Sequence, residues 1–189
     1  MKTAEAFQTP FRGAEIWPLS VEAYHALDEA GLIPKHTELL YGLVYHKMSK
    51  SPLHSSLVQC LQELLHGVVG RGCLVRTEQP ITCADSEPEP DLAVVRGEIA
   101  DFRQAHPRTA ELVIEVCVSS TDYDRSKLRA YATAGVKECW LVLEPQKQIE
   151  VYAQPTGHRF AECALYGPAG GLTSPTVPGL TVDLSGLFA

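Results

Sequence analysis

The run Leu112-Val113-Ile114-Glu115-Val116-Cys117-Val118 is apolar on both faces of an extended chain, apart from one glutamate. Alternation puts Val113, Glu115 and Cys117 on one side, with Glu111, and Leu112, Ile114 and Val116 on the other. A strand of this kind needs cover on both sides, so it reads as a central strand between two layers. Glu115 is the anomaly. A carboxylate among such neighbours is costly to desolvate unless something compensates it. A bound cation is one compensation and a structural ion pair is another.

A second acid stands in a similar place. Glu87-Pro88-Glu89-Pro90-Asp91 leads into the apolar run Leu92-Ala93-Val94-Val95, and Asp91 precedes Glu115 by 24 residues. The two prolines favour extension and suit a strand entrance. Extended, Glu87, Glu89 and Asp91 share one face. If 91–95 and 111–118 are neighbouring strands, Asp91 and Glu115 can converge on one cation. Magnesium or manganese is the natural occupant, because hard cations take oxygen ligands. The bland alternative makes Asp91 a turn residue after proline and Glu111 a solvated strand end.

The next segment predicts a helix from Thr121 to about Ala134, capped by Thr121 with Asp124 three residues on, and ended by Gly135. Asp124, Lys127, Leu128 and Tyr131 fall on one stripe of it. The helix follows Glu115 by a short turn, so Lys127 can reach a water on the metal. Such a water loses a proton far more easily than bulk water. The lysine can position that water or stabilise charge developing on a phosphate. Taken singly, Lys127 reads as a solvated helix residue, Asp124 as a cap or ion-pair partner, and Tyr131 and Trp140 as core. His54 reads as a polar contact at a helix start, with phosphate binding as the sharper alternative.

Elsewhere the pattern predicts a helix from Ser20 to Ala30, and two strands or one bent strand within Glu38 to Met48, turning near Gly42. Ser51-Pro52 opens a helix whose inward face is Leu53, Leu57, Leu61, Leu64 and Val68. Strands follow at Cys73 to Thr82 and Glu138 to Leu143, and a hairpin at Gln148 to Tyr152 and His158 to Leu165. The tail is mostly loop, closing with Leu180 to Leu184, and residues 1–13 form a loosely structured N-terminal arm. Helices and strands alternate in the middle, which predicts an α/β fold with a mixed sheet flanked by helices. The length of 189 residues suits a single domain over 1–189.

Composition removes several classes. The six cysteines include no C-x-x-C and match no zinc spacing. Cys60, Cys117 and Cys139 read as small core residues. No run is long enough to span a bilayer and the N-terminus lacks a signal-like apolar stretch, so a cytoplasmic protein without membrane contact is expected. The net charge of −7 argues against a passive nucleic-acid binder but not against an enzyme with an acidic cation site. There is no G-x-S-x-G, and Gly167-Pro168-Ala169-Gly170-Gly171 lacks the Lys and Ser/Thr of a P-loop. Trp17, Phe160 and Phe188 are apolar positions outside the expected core that could serve a homodimer, which would suit a duplex substrate.

Taken together, Glu38-Leu39-Leu40-Tyr41-Gly42, His54, Pro90-Asp91, Glu115-Val116 with Ser119-Ser120-Thr121, Asp124, Lys127 and Tyr131, and Gly135-Val136-Lys137-Glu138-Cys139-Trp140-Leu141-Val142 resemble the Uma-two-type restriction endonuclease family of the PD-(D/E)XK nuclease superfamily. The resemblance runs from about Ser20 to about Tyr152. It implies a restriction-endonuclease-like core, a mixed sheet flanked by helices, and a magnesium-dependent site acting on DNA. It implies Asp91 and Glu115 as metal ligands, Lys127 as the catalytic lysine moved onto the helix, Glu38 as a further acid, and His54, Tyr131 and Asp124 as accessory groups. The superfamily's usual lysine position, two after the glutamate, is Cys117 here. After Glu38 the chain reads Leu39-Leu40-Tyr41-Gly42-Leu43, without the family's acids, which argues against a second metal. The leading expectation is a magnesium-dependent (or manganese-dependent) endonuclease. A non-catalytic nucleic-acid or protein-binding module on the same scaffold is the rival, and a two-carboxylate hydrolase of another substrate is a third reading.

Overall fold

The structure is a computed structural model and describes residues 15–189. The arm expected over 1–13 lies outside the described residues. The first helix, α1 (Val21–Glu29), starts where Ser20 accepts a hydrogen bond from the Ala23 N–H. A hairpin of β1 (Thr37–Leu40) and β2 (Leu43–His46) follows. Its two-residue turn places Tyr41 and Gly42 at φ 54° and 79°, the left-handed pair such a turn requires. A side chain at Gly42 would also collide with Pro18, at 2.3 Å from an added Cβ.

Helix α2 (Pro52–Val68) is capped by Ser51. Its buried face is Leu57, Val58, Leu61 and Leu65, whereas Leu53 and Leu64 are exposed. The expected stripe was thus rotated: Val58 and Leu65 take the inward places, and Cys60 faces out. Six strands form the main sheet in the order β3 (Cys73–Thr77), β4 (Leu92–Arg96), β5 (Leu112–Cys117), β6 (Glu138–Leu143), β7 (Gln148–Thr156) and β8 (Arg159–Tyr166). β5 and β6 run parallel through α3 (Thr121–Thr133); the other pairs are antiparallel. β3 stops at Thr77 rather than Thr82, because Glu78 turns the chain at φ 53°.

The sheet separates two apolar layers. Leu112, Ile114, Val116, Trp140 and Val142 pack under α2 and the C-terminal segment. Val113, Cys117, Cys139 and Leu141 pack with Ala130 and Tyr131 of α3. Leu112, Val113 and Ile114 are fully buried, each worth about 1.5–3 kcal/mol of burial. The double-sided strand is therefore central, as its sequence required.

The tail is more ordered than expected. β9 (Gly171–Thr173) pairs with β10 (Thr181–Asp183), and α4 (Leu184–Leu187) closes the chain. Leu172, Val177, Leu180, Val182 and Leu184 complete the first layer. Phe188 and Phe160 pack partly against the two layers, while Trp17 is 90% exposed. Among the described residues, no helix is long and apolar enough to cross a membrane.

Candidate active site

β4 and β5 pair with Leu92 opposite Ile114. One step outward along that register brings Asp91 opposite Glu115, at the mouth of the sheet. The Val116 N–H donates to Asp91 Oδ2 at 2.8 Å, tying the two strand ends together. Both carboxylates line one cavity of about 110 Å³, room for a few waters. The segments 47–51 and 118–120 form its walls, and Glu38, Glu89, His54, Tyr123, Asp124 and Lys127 also line it.

α3 supplies the cation. Lys127 Nζ lies 3.2 Å from Glu38 Oε1, 3.3 Å from Glu115 Oε1 and 3.4 Å from Asp124 Oδ1. Its side chain is only 5% exposed. Burial works against its charge, but Glu115, Glu38 and Asp124 outweigh it and hold the ammonium well above the usual lysine range. Lys127 is thus a fixed positive charge, not a base.

Glu115 is the least compensated acid. Its side chain is 2% exposed, and burial pushes it up to about 8. Lys127 pulls against that rise, whereas Asp124, Asp91 and Glu38 add to it. The Tyr131 hydroxyl donates to Oε1 at 2.5 Å. Among the described residues, no donor reaches Oε2. Asp91 behaves oppositely: burial opposes its charge, but His54, the Val116 N–H and Lys50 lower it. His54 Nε2 is 3.1 Å from Oδ2, and His54 Nδ1 is buried without a partner among the described residues. Burial raises Asp124, against the pull of Lys127 and Ser120.

The structure thus brings Asp91, Glu115, Lys127, Glu38, Asp124, Tyr131 and His54 together. Some local expectations change. Ser120, not Thr121, holds the N-cap position, and its hydroxyl donates to Asp124 instead of capping. Glu87 leaves the site: it takes His25 at 2.6 Å and the Thr82 hydroxyl at 2.6 Å. Glu111 is a buried strand end clamped by Arg96 and Lys137, not a solvated one. Tyr123 had not been singled out. Its hydroxyl donates to Glu38 Oε1 at 2.7 Å and its ring lies 5.1 Å from Lys127 Nζ. The i, i+4 spacing of Tyr123 and Lys127 was the available signal. Lys47 and Lys50 were also missed; both sit in a loop whose sequence carries no period.

The donor set fits a divalent cation. Three carboxylates, Glu38, Glu115 and Asp124, share one buried ammonium, and Asp91 beside them is paired with Lys50 and His54, so the acids outnumber the cation buried among them. Among the described residues, no three acidic, imidazole or thiol side chains form a closed cage. Magnesium does not need one, since it keeps several waters and binds through one or two carboxylates plus substrate phosphate.

Sequence and structure comparisons give the chain's family and fold. The family described as Uma2, "Putative restriction endonuclease", matches residues 21–185. A crystal structure described as a putative nuclease belonging to DUF820, from Anabaena variabilis, is similar with a TM-score of 0.74 and 18% identity. The match covers 90% of this chain and 98% of that one, and at this identity it shows the shared fold. No curated protein matches the sequence.

Proposed function

The chain belongs to the Uma2 family, and from that premise we propose that it is a magnesium-dependent endonuclease that hydrolyses DNA phosphodiester bonds within one restriction-endonuclease-like domain. The observation that carries this reading is the facing pair Asp91 and Glu115 beneath a buried lysine, with Glu115 Oε2 open to the cavity. Asp91 and Glu115 would hold the ion. When bound, the ion supplies a readily deprotonated water and neutralises charge on the phosphate.

The chain's own groups do the rest. Glu38 and Asp124 hold Lys127 protonated and in place over the cavity. Lys127 offers its charge to the phosphate oxygens as negative charge grows on them. Tyr131 fixes the rotamer of Glu115, and His54 with the Val116 N–H fixes that of Asp91, as outer partners of metal ligands do. Tyr123 positions Glu38.

The test is cleavage of plasmid and linear DNA by the purified chain with magnesium or manganese, with and without chelator. Asp91→Ala should lose metal-dependent cleavage by on the order of a thousandfold. No cleavage with any divalent ion, or equal cleavage by the variant, sinks the proposal. A chelator-insensitive mobility shift without cleavage would instead favour a binding module.

A further inference from the structure

Asp91 has one carboxylate oxygen engaged from within the fold and one facing the cavity. Oδ2 accepts from the Val116 N–H at 2.8 Å and from His54 at 3.1 Å. Oδ1 accepts from Lys50 Nζ at 3.2 Å, and among the described residues from no other group. Lys50 also reaches Glu78 Oε1 at 2.5 Å. Its side chain is 28% exposed and sits on the 47–51 wall of the cavity, while Glu78 is 44% exposed. An ammonium on a four-carbon stem is a mobile point charge.

Lys50 and Lys127 are therefore different kinds of cation. Lys127 is enclosed by three carboxylates and cannot leave. Lys50 holds the one oxygen that an incoming ion would need, and it has a second partner closer to solvent. Lys47 is not equivalent, because it pairs with Glu89.

We propose that Lys50 is a placeholder cation: it occupies Asp91 Oδ1 when no metal is bound, yields that oxygen to a divalent ion, and then contacts a backbone phosphate of the substrate. The proposal rests on the metal-site reading above. A metal ion and an ammonium at one oxygen repel each other, so entry of the ion favours departure of Lys50 towards Glu78.

The test uses the full chain and manganese alone, by titration calorimetry without nucleic acid. Lys50→Gln should bind manganese about threefold to tenfold tighter than the wild type, the range expected for losing a partly exposed competing ion pair. A crystal structure with manganese should show Lys50 Nζ withdrawn from Oδ1. In calcium, the variant should bind DNA more weakly, with a salt dependence shallower by about one phosphate contact. Unchanged or weaker manganese binding by the variant, or an ion bound with Lys50 still on Oδ1, overturns the placeholder role while leaving the metal site intact. If the wild type binds no manganese, the metal reading fails and this inference falls with it.

Discussion

Two glutamates lie on neighbouring central strands and are almost completely buried, yet their surroundings differ. Glu138, on β6, faces the α2 layer and, among the described residues, has no cation partner. The Trp140 indole N–H donates to it at 2.7 Å, Ser174 at 2.6 Å and the Thr176 hydroxyl at 2.5 Å. Neutral donors from strand and tail satisfy it, so it staples the C-terminal segment to the sheet. Glu115, on β5, faces the α3 layer among three other acids, with one tyrosine and a share of one lysine. A carboxylate satisfied by neutral donors is structural; one left short of donors and crowded by like charge suits the cation site proposed above. The tertiary structure over-provides for Glu138 and under-provides for Glu115, and this is what separates a staple from a site.

That contrast can be broken by exchange of single atoms. Glu115→Gln should keep the fold and lose metal-dependent cleavage by on the order of a thousandfold; wild-type-like turnover would make Glu115 another staple. The next effect is in stability against pH. Glu115 rises from an ordinary 4.5 to about 8 in the folded state. A raised carboxyl stabilises fully below its unfolded value, and that contribution is lost as pH climbs towards about 8, on the order of a few kcal/mol. Urea unfolding of the metal-free chain should show this decline between pH 5 and 8, and Glu115→Gln should flatten it. A wild-type profile as flat as the variant's would refute the reading.

Glu138→Ala should do the reverse. It strands the donors of Trp140, Ser174 and Thr176 and should cost about 3 kcal/mol in urea unfolding, while cleavage at a temperature where it is folded stays at the wild-type rate. Loss of cleavage there would tie the staple to the site. The smallest effect belongs to Tyr131→Phe. It removes a neutral donor from Glu115 and should weaken manganese binding about tenfold, measured by calorimetry. No change would mean that packing alone orients Glu115.

Much of the fold was legible because it rests on local chemistry. The double-sided run at 112–118 demanded a central strand, Ser20 and Ser51 announced helix starts, and Gly42 marked the hairpin turn. Misreadings arose where several registers satisfy one pattern. On α2, Leu53 and Leu64 fit the same helical period as Val58 and Leu65, and only the approaching sheet chose between them. The tail read as loop because its Gly and Pro residues punctuate it, yet its few apolar side chains fill a gap that other segments leave.

Within the site, Asp91 and Glu115 were visible because a charge beside an apolar run is costly and local, and Lys127 through the helical stripe it shares with Asp124 and Tyr131. Tyr123 and Lys50 were less so, because neither breaks a local pattern. The sequence by itself determined that a sheet with two covered faces would form, with Asp91 at the entrance of one strand and Glu115 within another, since burial and alternation are properties of neighbours along the chain. Only the tertiary structure decided that those carboxylates face each other, that Lys127 serves three acids, and that Lys50 holds Asp91. Those facts depend on strand register and helix rotation, where long-range packing selects among arrangements that local energies leave nearly equal.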